Sequence, residues 1–131
     1  MTALTQDRNT QRRDGDFINH GVAASTKVFS GGLGCVNASG YLVPGSVSIT
    51  LKAVGKIEET VDNTIGANGA LTAKVRKGVF KWANAGDITL AHLETNVYIN
   101  DDQTVSSVST GKSVAGKLIA VDSDGVWVAT L

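Results

Sequence analysis

Apolar and polar residues alternate most regularly over residues 69–82, GALTAKVRKGVFKW. Leu71, Ala73 and Val75 alternate with Thr72, Lys74 and Arg76, the period of a half-buried strand. Beyond Gly78 the phase slips, and the large apolar residues become Phe80 and Trp82, with Lys81 between them. Odd positions point inward before the slip and even ones after it. One extra residue at Lys77–Gly78 produces this shift, so the pattern predicts a single long strand with a β-bulge at the glycine. Burying Phe80 and the body of Trp82 contributes roughly 2–3 kcal/mol each.

Shorter apolar runs surround this segment. Residues 22–24 and 27–29 are candidate strands, as are 35–37 and 41–43, joined by the turn chemistry of Asn37-Ala38-Ser39-Gly40. Residues 46–58 predict a strand with Leu51 and Ala53 inward and Gly55 as a second bulge site. Residues 60–69, TVDNTIGANG, predict a loop ending in an Asn-Gly turn. Only residues 87–93 have helical spacing, enough for one turn, with Asp87 as its N-cap. Strands follow at 97–99 and 104–108. Residues 117–121 and 126–129 flank Asp122-Ser123-Asp124-Gly125, the clearest hairpin signal in the chain. Close strand spacing without a long helix predicts an all-β fold: a small barrel or a β-sandwich of short antiparallel strands.

Residues 1–16 are different. TQDRNTQRRDGD has no apolar face at either period, and its charges are mixed, Arg8, Arg12 and Arg13 against Asp7, Asp14 and Asp16. This predicts an extended N-terminal arm on a single β domain of residues 17–131. The arm is either a solvated terminus or a segment that orders on a neighbour through arginines suited to interfacial ion pairs.

Composition narrows the function classes. The 131 residues suit one domain, and 15 glycines with a single proline favour strands and turns. Net charge is zero, which argues against nucleic acid held by phosphate neutralisation and against a membrane-surface binder. Cys35 is the only cysteine, so no intramolecular disulfide forms, and it reads as a small buried hydrophobe. No apolar stretch is long enough to span a membrane, and the polar first twenty residues do not read as a signal peptide. The expected site of synthesis is the cytoplasm.

Catalytic signatures are weak throughout. Gly111-Lys112-Ser113 resembles the end of a phosphate-binding loop, but Ser106 stands where the motif needs glycine. Gly32-Leu33-Gly34 lacks the third glycine of a dinucleotide fingerprint. Asp122-Ser123-Asp124-Gly125 lacks the later ligands of a calcium loop. His20 and His92 have no partners at metal-ligand spacing. Glu58 and Glu59, as strand neighbours, point to opposite faces. No catalytic, cofactor or metal residue is assigned, no small-molecule substrate is expected, and the expectation is a non-enzyme.

Three segments carry a family resemblance. VFSGGLGCVNASGYLVPG reads as an early strand pair. ALTAKVRKGVFKWANAGDITLAHLETNVYINDD holds the steps Gly78-Val79-Phe80 and Val97-Tyr98-Ile99. SVAGKLIAVDSDGVWVATL forms a closing hairpin, with Ala115-Gly116 before its strand. In this order, from about Val22 to Leu131, they resemble the capsid cement, or decoration, proteins of tailed phages. The resemblance implies a structural virion protein, without cofactor, assembled in the host bacterial cytoplasm. Such a protein binds the outside of an expanded phage head and clamps neighbouring major capsid subunits. It also implies a small homo-oligomer, most often a trimer. The arm lies outside the resemblance; Arg8, Arg12, Arg13 and Phe17 are the candidate contacts to the shell. The apolar residues of 22–29 and 126–131 exceed what two small hairpins are expected to hide, which suits a subunit interface. The alternatives are another virion β-protein, such as a tail or fibre accessory domain, or a small ligand-binding barrel or enzyme.

Overall fold

The computed structural model describes residues 2–11 and 15–131. Among them are twelve short strands and a single 3-10 turn, Leu90–His92. The first half builds a five-stranded sheet from β1 (Phe17–Gly21), β3 (Leu33–Val36), β4 (Leu42–Pro44), β5 (Lys52–Ile57) and β7 (Thr72–Arg76), in the order β1-β7-β5-β3-β4. A two-stranded ribbon, β2 (Thr26–Val28) and β6 (Val61–Asn63), accompanies it. The second half is a closed barrel of β8 (Gly78–Asn84), β9 (Asn96–Ile99), β10 (Thr104–Ser106), β11 (Val114–Asp122) and β12 (Gly125–Thr130), in the order β10-β8-β12-β11-β9. The fold is all-β, as the alternation predicts. Its named strand pairs are antiparallel except β8 with β10.

The phase slip at Lys77–Gly78 has a different cause from the one the sequence suggests. It is not a bulge within one strand. β7 ends at Arg76 between β1 and β5, and β8 begins at Gly78 beside β12. The chain passes from sheet to barrel here, and the two elements bury their side chains in different cores. Ala73 and Val75 join Val22, Val28, Leu42 and Ile57. Trp82, with Phe80 packed against it, joins the barrel residues Val97, Ile99, Val105, Leu118, Val126 and Val128. Trp82 is buried, Phe80 half-buried and Lys81 exposed. Leu71 is not inward; it is 45% exposed. It lies before β7 starts, and its carbonyl accepts the N–H of Val22, the fully buried residue at that level.

β3 and β5 form a wall shared by both cores. Leu33 and Cys35 face the barrel cluster, with Ala53 and Leu51 packed against it. Ile57 faces the other cluster, with Val54 packed against that one. The β3–β5 register slips between Gly34 and Cys35, which pair with Gly55 and Ala53, so Val54 is the extra residue. The bulge predicted at Gly55 is therefore present. β11 repeats the device. Its register against β9 slips between Val114 and Gly116, leaving Ala115 extra. Gly55 and Gly116 both have positive φ, at 133° and 158°. A Cβ at Gly55 would overlap the Arg76 carbonyl oxygen, and one at Gly116 the Ala129 carbonyl oxygen. At these points the neighbouring backbone comes too close for any side chain.

Three further expectations change. The 60–69 loop contains β6, which pairs with β2. Residues 46–51 are irregular rather than strand. The apolar surplus assigned to 22–29 and 126–131 is largely consumed inside the fold: Val22, Ala23, Val28, Val126 and Val128 are buried. β2 pairs with β6 in the ribbon, where Val28 turns inward, and β12 is enclosed between β8 and β11. Phe29, Trp127 and Leu131 remain exposed there.

Gly116→Ala is expected to lower stability by at least about 3 kcal/mol in urea unfolding, because backbone must move. Gly86→Ala is the control: φ is 108° but nothing lies within 4 Å, so it should cost only the left-handed strain of about 1–2 kcal/mol. Equal losses would show that the close approach to Ala129 imposes nothing.

Candidate functional site

The arm predicted from the charge pattern meets the domain at Asp16. The described arm residues, 2–11, are all exposed, Leu4 at 71% and Arg8 among them. The Asp16 carbonyl accepts the Lys77 N–H at 2.8 Å, tying the end of the arm to the crossing between sheet and barrel. Phe17 then opens β1, at one edge of the sheet. It pairs with Arg76 across the ladder. That register places its ring 4.3 Å from the Arg76 guanidinium carbon and 5.3 Å from the Lys74 ammonium. Cation–π attraction of this kind fixes a half-buried aromatic in place. Of the four candidate contact residues, Phe17 is thus held by two basic residues of β7 and Arg8 is exposed in the arm. Arg12 and Arg13 lie outside the described residues.

A second exposed surface escaped the sequence reading. On the outer side of the barrel, Trp127 stands opposite Lys81 and Val79 opposite Ala129. Trp127 is 36% exposed and donates its Nε1–H to Asp122 Oδ2 at 2.8 Å. Lys81 Nζ lies 5.9 Å from the Trp127 ring and 2.5 Å from Asp124 Oδ1. The Lys81 hydrogen bond holds the Asp124 carboxyl below its usual range and the Lys81 ammonium above its own. The hairpin read as a turn is therefore also a clamp on an exposed indole. Parity in VWVAT could have shown it, since inward Val126 and Val128 leave Trp127 outward.

The groups with catalytic potential are dispersed. Cys35 is buried, and desolvation pushes its thiol up to about 12, which makes it unreactive at neutral pH. Burial, then Lys77, lowers the pKa of His20. His92 closes the 3-10 turn: its Nδ1 accepts the Thr89 N–H at 3.0 Å. Thr89, not Asp87, is the N-cap. Glu58 lies 3.2 Å from Lys56 Nζ, while Glu59 accepts the Lys74 N–H. Among the described residues no group of three His, Cys, Asp or Glu side chains is placed to hold a metal ion. Among the described residues no helix is long and apolar enough to cross a membrane.

Asp87 has a structural task that its sequence context hid. Its carboxylate accepts Ser106 Oγ–H at 2.6 Å and Ser107 N–H at 2.9 Å, and its carbonyl accepts Ser107 Oγ–H at 3.1 Å. The segment after β8 is thereby fastened to the end of β10. Burial opposes the Asp87 charge, but the hydrogen bonds from Ser106 and Ser107 outweigh it and keep the carboxyl below its usual range.

No family model, curated protein or solved structure matches this chain.

Asp87→Asn leaves one side-chain oxygen for two donors, Ser106 Oγ–H and Ser107 N–H, and removes the charge they stabilise, which should cost about 1–3 kcal/mol at pH 7. A depressed carboxyl stabilises the fold above its unfolded value, about 3.9, and loses that contribution as pH falls through the folded value. The gap between wild type and variant should therefore be constant from pH 7 to about 5 and shrink below about 4. A gap unchanged at pH 3 would remove the carboxylate from this account.

Proposed function

We propose that this chain is a structural virion protein that binds the outer surface of a phage head and stabilises the capsid by holding neighbouring major capsid subunits together. The observation that carries the reading is the contrast between body and arm. A small β body with two packed cores ends at Asp16 and Phe17, from which residues 2–11 extend with every side chain exposed. Such a body offers a fixed platform, and such an arm can order on a neighbour without disturbing it. The similarity to phage decoration proteins in the segments around Gly78-Val79-Phe80, Val97-Tyr98-Ile99 and the closing hairpin points the same way. The partners in this reading are the major capsid protein and further copies of the chain, with a trimer favoured. Binding requires no enzymatic step, cofactor, nucleic acid or membrane.

Oligomerisation follows from the size of the body. A domain of this length offers one shell partner about 800 Å² at best, and area of that order does not by itself secure tight binding. Closing several copies into a ring makes each further contact intramolecular and can multiply binding by about 10²–10⁴.

Deleting residues 1–15 should leave the melting temperature nearly unchanged and weaken co-sedimentation with expanded heads by about tenfold or more, a loss of about 1.4 kcal/mol. Undiminished binding by the truncated protein would reduce the arm to a loose terminus. Full-length protein that does not co-sediment with heads at all would remove the reading.

A further inference from the structure

An open groove of about 440 Å³ lies where the starts of β5 and β11 approach each other. Ile49, Leu51, Ala53 and Val114 give it an apolar floor, and Lys52 and Lys112 flank it. Ile49 is 77% exposed and Val114 43%. The groove is held open rather than collapsed. Buried Ser113 donates Oγ–H to the Ser48 carbonyl at 2.5 Å and accepts the Leu51 N–H at 3.2 Å, fastening the irregular 46–51 segment to the barrel. Among the described residues, Lys56, Lys81 and Lys117 pair with carboxylates, whereas Lys52 and Lys112, like Lys27, Lys74 and Lys77, do not. The lining holds two lysines and no carboxylate, a local positive surplus over exposed apolar surface.

The matching feature stands on the ribbon. Ile65, in the loop between β6 and β7, is fully exposed. An isoleucine so presented is normally on a loose loop, but this loop is fixed. Buried Asn63 directs its Nδ2 to the carbonyls of Val22, Ala23 and Ala67 at 3.0–3.1 Å. Gly66 N–H donates to the Asn63 carbonyl, Ser25 N–H to the Gly66 carbonyl and Thr64 N–H to Asp62 Oδ1. Asp62 and Glu59 precede Ile65 and are exposed. Lys27, the cross-strand neighbour of Asp62, has its ammonium 5.1 Å from the centre of the Phe29 ring and still attracts the Asp62 carboxylate, and Glu59 also accepts the Lys74 N–H.

We propose that the β6–β7 loop of one copy seats in the groove of the next, with Ile65 on the apolar floor and Asp62 and Glu59 facing Lys52 and Lys112. The inference deepens the oligomer of the proposed function and rests on that reading. Knob and groove are different surfaces, so the contact is head-to-tail. Each copy keeps one free knob and one free groove until a ring closes. An apolar side chain held rigid before binding loses little freedom when it docks, and the flanking charges select its orientation.

The test uses the free full-length protein in sedimentation equilibrium, with Ile65→Asp to disable the knob and Lys112→Glu to disable the groove. Both positions lie outside the buried core, and thermal melts check that each variant is folded. Wild type should sediment as a multiple of 13.6 kDa, and each variant alone should associate about tenfold or more weakly. Mixing the two should restore a dimer and stop there, because one intact knob meets one intact groove. A monomeric wild type, variants that associate like wild type, or a mixture that stays monomeric would each overturn the contact. So would Lys112→Glu protein that loses head binding at unchanged oligomer mass, which would assign the groove to a shell segment. Head co-sedimentation separates the two readings. If wild type fails to bind heads while the mixing result holds, the shell reading falls and this contact stands.

Discussion

Everything in this molecule depends on one wall being shared by two interiors. β3 and β5 send Leu33, Cys35 and Ala53 toward the barrel and Ile57 and Val54 toward the ribbon. A strand buried on both faces has no room for error in size. A Cβ at Gly34 would come within 3.1 Å of both Ile57 and Leu42, so the absence of a side chain there sets the thickness of the second core. The bulge at Val54 then lets one short strand serve both sides. A chain of 131 residues would struggle to fill two separate cores; sharing a wall reduces the apolar residues needed.

How much of this could be read from sequence follows from the range of the interactions. Alternation and turn chemistry are local, and they gave the all-β class, the closing hairpin, the Gly55 bulge and the inward phase of Trp82. The crossing at Gly78 was visible as a phase slip, but a bulge and a change of sheet produce the same pattern. Only the partners of β7 and β8 distinguish them, and those lie far along the chain. β6 escaped because Asp62-Asn63 reads as a turn, whereas Asn63 is buried and satisfies carbonyls from residues 22, 23 and 67. The surfaces were the least legible. Ile65 looks like any loop residue until the bonds around it show that the loop is rigid. The groove is made by segments some sixty residues apart, joined by the Ser113 hydroxyl.

The electrostatics show how a chain with zero net charge can still carry addressed surfaces. Charges are grouped rather than averaged. Lys81, Asp122 and Asp124 surround Trp127; Lys74 and Arg76 hold Phe17; Lys52 and Lys112 stand without carboxylates beside exposed apolar groups. Within about 10 Å, the screening length at moderate salt, such groups act locally and the total is irrelevant. Overall neutrality therefore places no limit on specific protein contacts.

The isolated parallel bridge between Val22 and Leu42 bears on how the molecule avoids pairing with other chains. It joins the residue after β1 to β4, the opposite edge of the sheet, so the sheet curls toward closure. β4 is only three residues long and ends in Pro44, which has no N–H to offer. An open sheet packed among many identical copies is a template for strand-to-strand stacking into fibres. A sheet curled on itself, beside a closed barrel, leaves only the short β2–β6 ribbon with two free edges.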